Sequence, residues 1–118
     1  MDEKIFKERT KKLGIAVIGL VDKLPRTVAA EVLSKQIIRS STSVGANYRA
    51  ACRAKSTPDM INKLKIVEEE ADETAYWLAV LTESKILNQT QVAALAKETD
   101  EILAMTVASL KTLRGKKS

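Results

Sequence analysis

The feature that most restricts the fold is an apolar pattern of helical period that runs along nearly the whole chain. Large apolar residues recur at steps of three and four over four segments, and the breaks between them fall at Pro25, at Pro58 and near Asn88. Steps of this size place apolar side chains on one side of an α-helix. The pattern predicts four helices, at about residues 2–23, 27–55, 58–85 and 88–114.

Residues that favour helix ends stand at each of the three breaks. Pro25 closes the first segment, because the residue before a proline avoids helical geometry. Thr57 is the expected N-cap of the third segment, with Pro58 in its first turn. Asn88 precedes Gln91 at the spacing of a capping box, which marks the start of the fourth segment. The breaks are therefore short connections between helices.

The composition supports an all-helical domain. Aromatic residues make up 3% of the chain, and there are two prolines and four glycines; this disfavours β-sandwiches and barrels, which need many turns and β-formers. A chain of 118 residues fits one domain. We therefore predict that residues 1–118 form one antiparallel, up-down-up-down four-helix bundle of the all-α class.

A run of small residues, "RSSTSVGANYRAACRAKS" at 39–56, lies inside the second segment. Small polar residues in a row are typical of loops. Here, however, the apolar residues from Leu33 to Cys52 keep a constant helical phase, so the run is predicted to be helix. Small side chains around Gly45 and Ala46 would let another helix backbone approach closely. A flexible hinge is the alternative interpretation.

A basic stripe lies on the other side of the same predicted helix. On a helical wheel an arc of about 80° holds four cations: Lys35, Arg39, Arg49 and Arg53. The formal net charge of +5 permits attraction to nucleic acid. We expect these four residues to contact phosphates, assisted by Lys111 and Arg114 at the end of the fourth helix. A solvated helix face is the alternative.

Acidic residues concentrate in the third segment. Residues 27–57 hold five cations and one acid, whereas residues 58–87 hold three cations and seven acids. We therefore expect the second and third helices to pair in part, either within one bundle or between subunits.

The third helix also has a second face, separate from its core stripe. Because tryptophan is enriched at interfaces, an exposed face that contains Trp77 favours contact with another chain. The alternative is that Trp77 only borders the core. The predicted subunit interface comprises Gly45, Ala46, Ile66, Glu70, Glu73 and Trp77.

Residue types needed for common enzymatic chemistry are missing. The chain has no histidine and one cysteine, Cys52, which excludes zinc fingers, Cys/His pairs and Ser-His-Asp triads. No glycine-rich phosphate loop occurs. The acids Glu69, Asp72 and Glu73 are more simply read as a solvated or salt-bridged face than as a cation site. We predict a protein without enzymatic activity, cofactor or metal.

The cysteine usage and apolar segments also bear on localisation. A single cysteine suits a reducing compartment. The apolar run at 13–21 is about half the length of a membrane span, and the first residues do not resemble a signal peptide. We expect a cytoplasmic protein that does not bind membranes.

Two stretches resemble the 23S rRNA intervening sequence protein family, also called S23 proteins. They are "SSTSVGANYRAACRAKS" and "INKLKIVEEEADETAYWLAVL", which together cover most of residues 39–82. The first matches the family's small-residue run, and the second matches its acidic helix with the Tyr-Trp-Leu ending. Arg49 stands where the family commonly has an acidic residue, so this chain is more basic along that face.

The resemblance implies a bacterial four-helix bundle that assembles as a homopentamer around a central channel. Family genes lie within insertions in 23S rRNA genes, and a related bundle is the accessory protein of diversity-generating retroelements. Many members have no assigned function.

Three functions follow as hypotheses. The first is a non-enzymatic oligomeric bundle that binds RNA or another nucleic acid through its basic surface. The second is a protein-binding scaffold or accessory subunit whose basic and acidic helices pair at subunit interfaces. The third is a structural protein without a nucleic-acid role. Because aromatic residues are few, single strands are the least favoured ligand.

Overall fold

The computed structural model describes residues 2–115, which form four α-helices and no strand within that range. Each predicted helix end lies within three residues of the observed end, so the all-helical prediction is confirmed. The helices are α1 (Glu3–Val21), α2 (Val28–Cys52), α3 (Thr57–Glu83) and α4 (Gln89–Gly115).

Local hydrogen bonds explain where the helices begin. The Thr27 hydroxyl accepts a hydrogen bond from the Ala30 amide at 3.1 Å, which satisfies one of the free amides of α2. Asn88 and Gln91 exchange two hydrogen bonds of 2.9 Å, as the capping-box spacing predicts. The prediction for α3 was wrong by one residue. Ser56 is the N-cap, and Thr57 already belongs to the helix.

The helices pack as an elongated bundle, with Cα extents of 52 × 20 × 20 Å. Each helix packs along the next one in the chain, and α1 packs less extensively against α4. The ring of Phe6 meets that of Tyr48 edge-on, with centroids 4.6 Å apart, near one end of the bundle. The fully buried large side chains are Phe6, Leu13, Ile37, Leu64, Leu81, Ile102 and Leu110.

The small residues of α2 let it cross α1 at short distance. A Cβ atom at Gly45 would lie 3.1 Å from the Thr10 carbonyl oxygen and 3.2 Å from the Lys11 Cα. A Cβ at Gly14 would lie 3.2 Å from the Thr42 Cα. These distances are shorter than an ordinary van der Waals contact, so a side chain at either glycine would push on the helix backbone opposite.

The same crossing decides between the two interpretations of the small-residue run. Helix α2 continues without interruption from Val28 to Cys52, so the helical interpretation is confirmed. The helix that approaches Gly45 is α1 of the same chain. A contact of Gly45 and Ala46 with a second subunit stays a prediction.

Candidate nucleic-acid interface

The predicted basic stripe on α2 is divided between two faces of the bundle. Arg39 turns toward α3, where its Nη1 donates to Glu70 Oε2 at 2.8 Å and its Nη2 donates to Glu73. The hydrogen bond to Glu70 raises the pKa of the Arg39 guanidinium. Arg39 is thus paired within its own chain, which is one of the two arrangements expected from the charge distribution.

The acidic partners of Arg39 also hold the tryptophan. Trp77 Nε1 donates to Glu73 Oε2 at 3.0 Å, and the Trp77 ring is half-buried at the α2–α3 seam. Ile66 is 36% exposed. Glu70, Glu73 and Trp77 therefore already have partners within the bundle, and their contact with another subunit stays a prediction.

The other stripe residues differ in their environment. Lys35 Nζ lies 3.8 Å from Glu31 Oε1, and both side chains are largely exposed. Arg49 and Arg53 are exposed, and neither pairs with a carboxylate among residues 2–115. These two arginines lie at the C-terminal end of α2, more than two helical turns from Arg39.

Cationic residues from all four helices gather at one end of the bundle. Because the helices are antiparallel, the start of α1 and α3 and the end of α2 and α4 lie at the same end. We call it the basic end and define it as residues 2–12, 43–67 and 104–115. It holds twelve lysines and arginines against four acids, a formal charge of +8. Arg49, Arg53, Lys111 and Arg114 all belong to it.

Next to the basic end, the middle of the bundle is acidic. This acidic belt comprises residues 68–73 of α3 and 98–101 of α4, which hold eight carboxylates and no cation. Arg9 extends to it from α1 and donates to Glu98 at 2.6 and 3.0 Å and to Glu101 at 3.1 Å. The hydrogen bond to Glu98 raises the pKa of Arg9. Charge is therefore separated along the bundle axis.

The sequence patterns did not single out Arg9, because its partners are about ninety residues away and only the closed bundle brings them together. They also missed Lys7 and Lys11. These two lysines are four residues apart, a spacing that places them on one helix face, so their alignment was detectable. Their position opposite Arg49 and Arg53 depends on how α1 packs on α2.

An open groove of about 530 Å³ runs between α1 and α2 on the outer surface. Gly14 and Gly45 form its floor, where the two backbones are closest. The part of the groove toward the basic end is cationic. The part toward the middle of the bundle is apolar, because Ile15 and Ile18 are 59% and 46% exposed there. The cationic lining residues are Lys7, Lys11, Arg49 and Arg53. We call it the α1–α2 groove.

The basic end offers charge without an exposed aromatic surface. Phe6 and Tyr48 are its aromatic residues, and both are buried. Tyr76 and Trp77 are outside it, on α3. Recognition of unpaired bases uses stacking on aromatic side chains. Phosphates of a double helix need only lysine and arginine side chains. The described surface therefore suits a phosphate backbone better than exposed bases.

Other kinds of site find little support in the described part of the chain. Within residues 2–115 no three His, Cys, Asp or Glu side chains are grouped so that they could hold a metal ion. Cys52 is half-buried, and burial raises the pKa of its thiol. In that same range, no helix is both long enough and apolar enough to traverse a lipid bilayer.

The structure defines a class of protein, an antiparallel four-helix bundle with a cationic end and an acidic middle. The model of one family, "23S rRNA-intervening sequence protein", matches residues 3–108. The chain therefore belongs to the 23S rRNA-intervening sequence protein family.

A solved structure agrees with this assignment. It is the 1.70 Å crystal structure of a protein with unknown function from the S23 ribosomal protein family of Bacteroides thetaiotaomicron VPI-5482. The two chains are 34% identical and superpose with a TM-score of 0.86 over 94% of this chain and 99% of the other. A comparison with curated proteins gave no match.

Proposed function

We propose that this protein is a non-enzymatic, ring-like homo-oligomer of the cytoplasm that binds RNA through its basic end. The observation that supports this function is the gathering of twelve cations against four acids at one end of the bundle. The family resemblance implies five subunits. In a ring, all basic ends lie on the same side, so several weak contacts act together through their effective concentration.

The proposed phosphate contacts are Arg49, Arg53, Lys111 and Arg114. Arg49 and Arg53 have no carboxylate partner in the described chain, so binding a phosphate breaks no ion pair there. Lys35 and Arg39 were part of the predicted site but are paired with Glu31 and with α3. The proposal therefore does not depend on these last two.

A salt titration tests the proposal with the unmodified protein. Affinity for a fluorescent double-stranded RNA is measured by anisotropy at increasing salt. Phosphate contacts release counterions, so the logarithm of the affinity should fall linearly with the logarithm of the salt concentration, with a slope of about −0.9 for each contact. An affinity that does not change between low and moderate salt contradicts the proposal. A single-stranded probe of the same length should bind more weakly.

A second candidate is a scaffold or accessory subunit for another protein, such as the accessory protein of a diversity-generating retroelement. The exposed isoleucines in the α1–α2 groove favour this candidate, because apolar surface contributes little to contact with phosphates. The salt titration separates the first function from a scaffold that binds protein alone, since such a scaffold has no salt-dependent affinity for bare RNA.

A further inference from the structure

We propose that neighbouring subunits join by insertion of the outer face of α3 from one copy into the α1–α2 groove of the next. This inference rests on the proposed homo-oligomer and names the two surfaces that would form it. It differs from the interface expected from sequence, since Glu70, Glu73 and Trp77 have partners at the α2–α3 seam of their own chain.

The groove presents two kinds of chemistry in a fixed order. Ile15 and Ile18 form exposed apolar surface near the middle of the bundle. Lys11 and Arg49 follow toward the basic end. Lys11 Nζ lies 3.6 Å from Glu8 Oε2, but both side chains are more than half exposed, so this pair is weak and easily replaced. The occupant of the groove therefore needs an apolar group followed by carboxylates.

The outer face of α3 carries these groups in the matching order. Glu69, Asp72 and Tyr76 are exposed and follow one another at steps of three and four, so they lie on one side of the helix. Tyr76 is 59% exposed, and its ring packs edge-on against Trp77 with centroids 4.9 Å apart, which fixes its direction. The chain thus contains a surface complementary to its own groove.

Contacts within the bundle show that the two surfaces lie at the same height, meaning the same position along the bundle axis. Gly45 is level with Thr10 and Lys11 across the α1–α2 crossing. The hydroxyl oxygens of Thr74 and Ser40 are 2.9 Å apart, so these residues are level across the α2–α3 seam. Counting residues from these contacts at 1.5 Å per residue places Glu69 at the height of Lys11 and Tyr76 at the height of Ile18.

This agreement in height matters because a closed ring allows no displacement along its axis. A contact between two different surfaces is heterologous, and it closes only if rotation alone relates neighbouring copies. At zero displacement, Tyr76 of one copy meets Ile18 of the next, and Glu69 meets Lys11, with Asp72 one turn further from the basic end. The arrangement also keeps every basic end on the same side of the ring.

One like-charge contact opposes this register. Lys65 is exposed one turn below Glu69, and the same count places it at the height of Lys7 and Arg49. Replacing Lys65 by glutamate turns repulsion into attraction. We expect Lys65→Glu to lower the dissociation constant of the oligomer at low salt.

Cysteine cross-linking tests the pairing directly. In a Cys52→Ser background, Ile18→Cys and Tyr76→Cys are made separately and together, and a short bifunctional thiol reagent is added. Each single variant should remain uncrosslinked, and an equal mixture should give dimers only. The double variant should give a ladder that ends at the subunit number. The control pair, Ile18→Cys with Val107→Cys, should give no ladder, since Val107 is an exposed residue of α4.

A charge-reversal series covers the possibility that a cysteine weakens assembly. Lys11→Glu and Glu69→Lys should each dissociate the oligomer in light-scattering measurements, and their combination in one chain should restore it. The proposed interface is overturned if either single cysteine variant cross-links to itself. It is also overturned if the protein is an oligomer but the double cysteine variant gives no ladder, or if the combined charge reversal does not restore assembly. A wild-type monomer contradicts the homo-oligomer itself, and RNA affinity, measured separately, reports on the binding function.

Discussion

Neutralising four cations of the basic end should lower the affinity for double-stranded RNA by up to about 4 × 10³-fold at 0.1 M salt. If each cation contacts one phosphate, its loss removes about 0.9 from the slope of log affinity against log salt, or about 3.6 in all. Binding should weaken uniformly across RNA sequences, because phosphate contacts do not read bases. The measurement is anisotropy over a salt series. The replaced residues, each changed to glutamine, are Arg49, Arg53, Lys111 and Arg114.

The control variant makes the same change in net charge outside the basic end. We expect it to change the affinity by less than about threefold, because exposed charges farther away than a Debye length of about 8–10 Å are largely screened. If both variants weaken binding equally, net charge alone attracts the RNA and the basic end is not the site. The control residues, again changed to glutamine, are Lys23, Arg26, Lys85 and Lys97.

Filling the α1–α2 crossing should cost more stability than any exposed substitution in this chain. The Gly45→Leu side chain must displace the α1 backbone at Thr10 and Lys11, because even a Cβ would be 3.1–3.2 Å from it. Overpacking of this kind costs about 1–3 kcal/mol in free energy of unfolding. Urea denaturation at one fixed protein concentration measures the loss, since assembly also contributes to apparent stability.

Gly19 provides the matched control for this prediction. It lies in α1, and beyond its chain neighbours and its own helix backbone no atom is within 4 Å of a Cβ built there. Gly19→Ala should therefore raise the free energy of unfolding by about 0.8–1 kcal/mol through helix propensity alone. If Gly45→Leu is as stable as the wild type, the close approach of α1 and α2 does not constrain the fold.

The sequence predicts the helices well because each helix depends on local information. The apolar period, Pro25 and the Asn88–Gln91 pair mark the segments without reference to the rest of the chain. The single misplaced cap, Thr57 for Ser56, reflects two adjacent residues with the same capping chemistry. Continuous helix through Gly45 also follows from the sequence, since the helical phase on either side agrees.

The candidate site was harder to predict, because it depends on contacts between helices. A helical wheel places Arg39 beside Arg49 and Arg53, yet Arg39 pairs with α3 and the two others face the α1–α2 groove. The wheel describes one isolated helix and omits its neighbours. The basic end combines residues from four helices. It becomes visible only when the antiparallel order brings distant parts of the sequence together.

Lysine footprinting tests the central claim, that nucleic acid binds at the basic end, most directly. The wild-type protein is acetylated with and without double-stranded RNA, and the modification of each lysine is measured by mass spectrometry. We predict protection of lysines in residues 2–12, 43–67 and 104–115, with Lys23, Lys35, Lys85 and Lys97 modified equally in both samples. Protection of those four, with the basic end unprotected, would contradict the account.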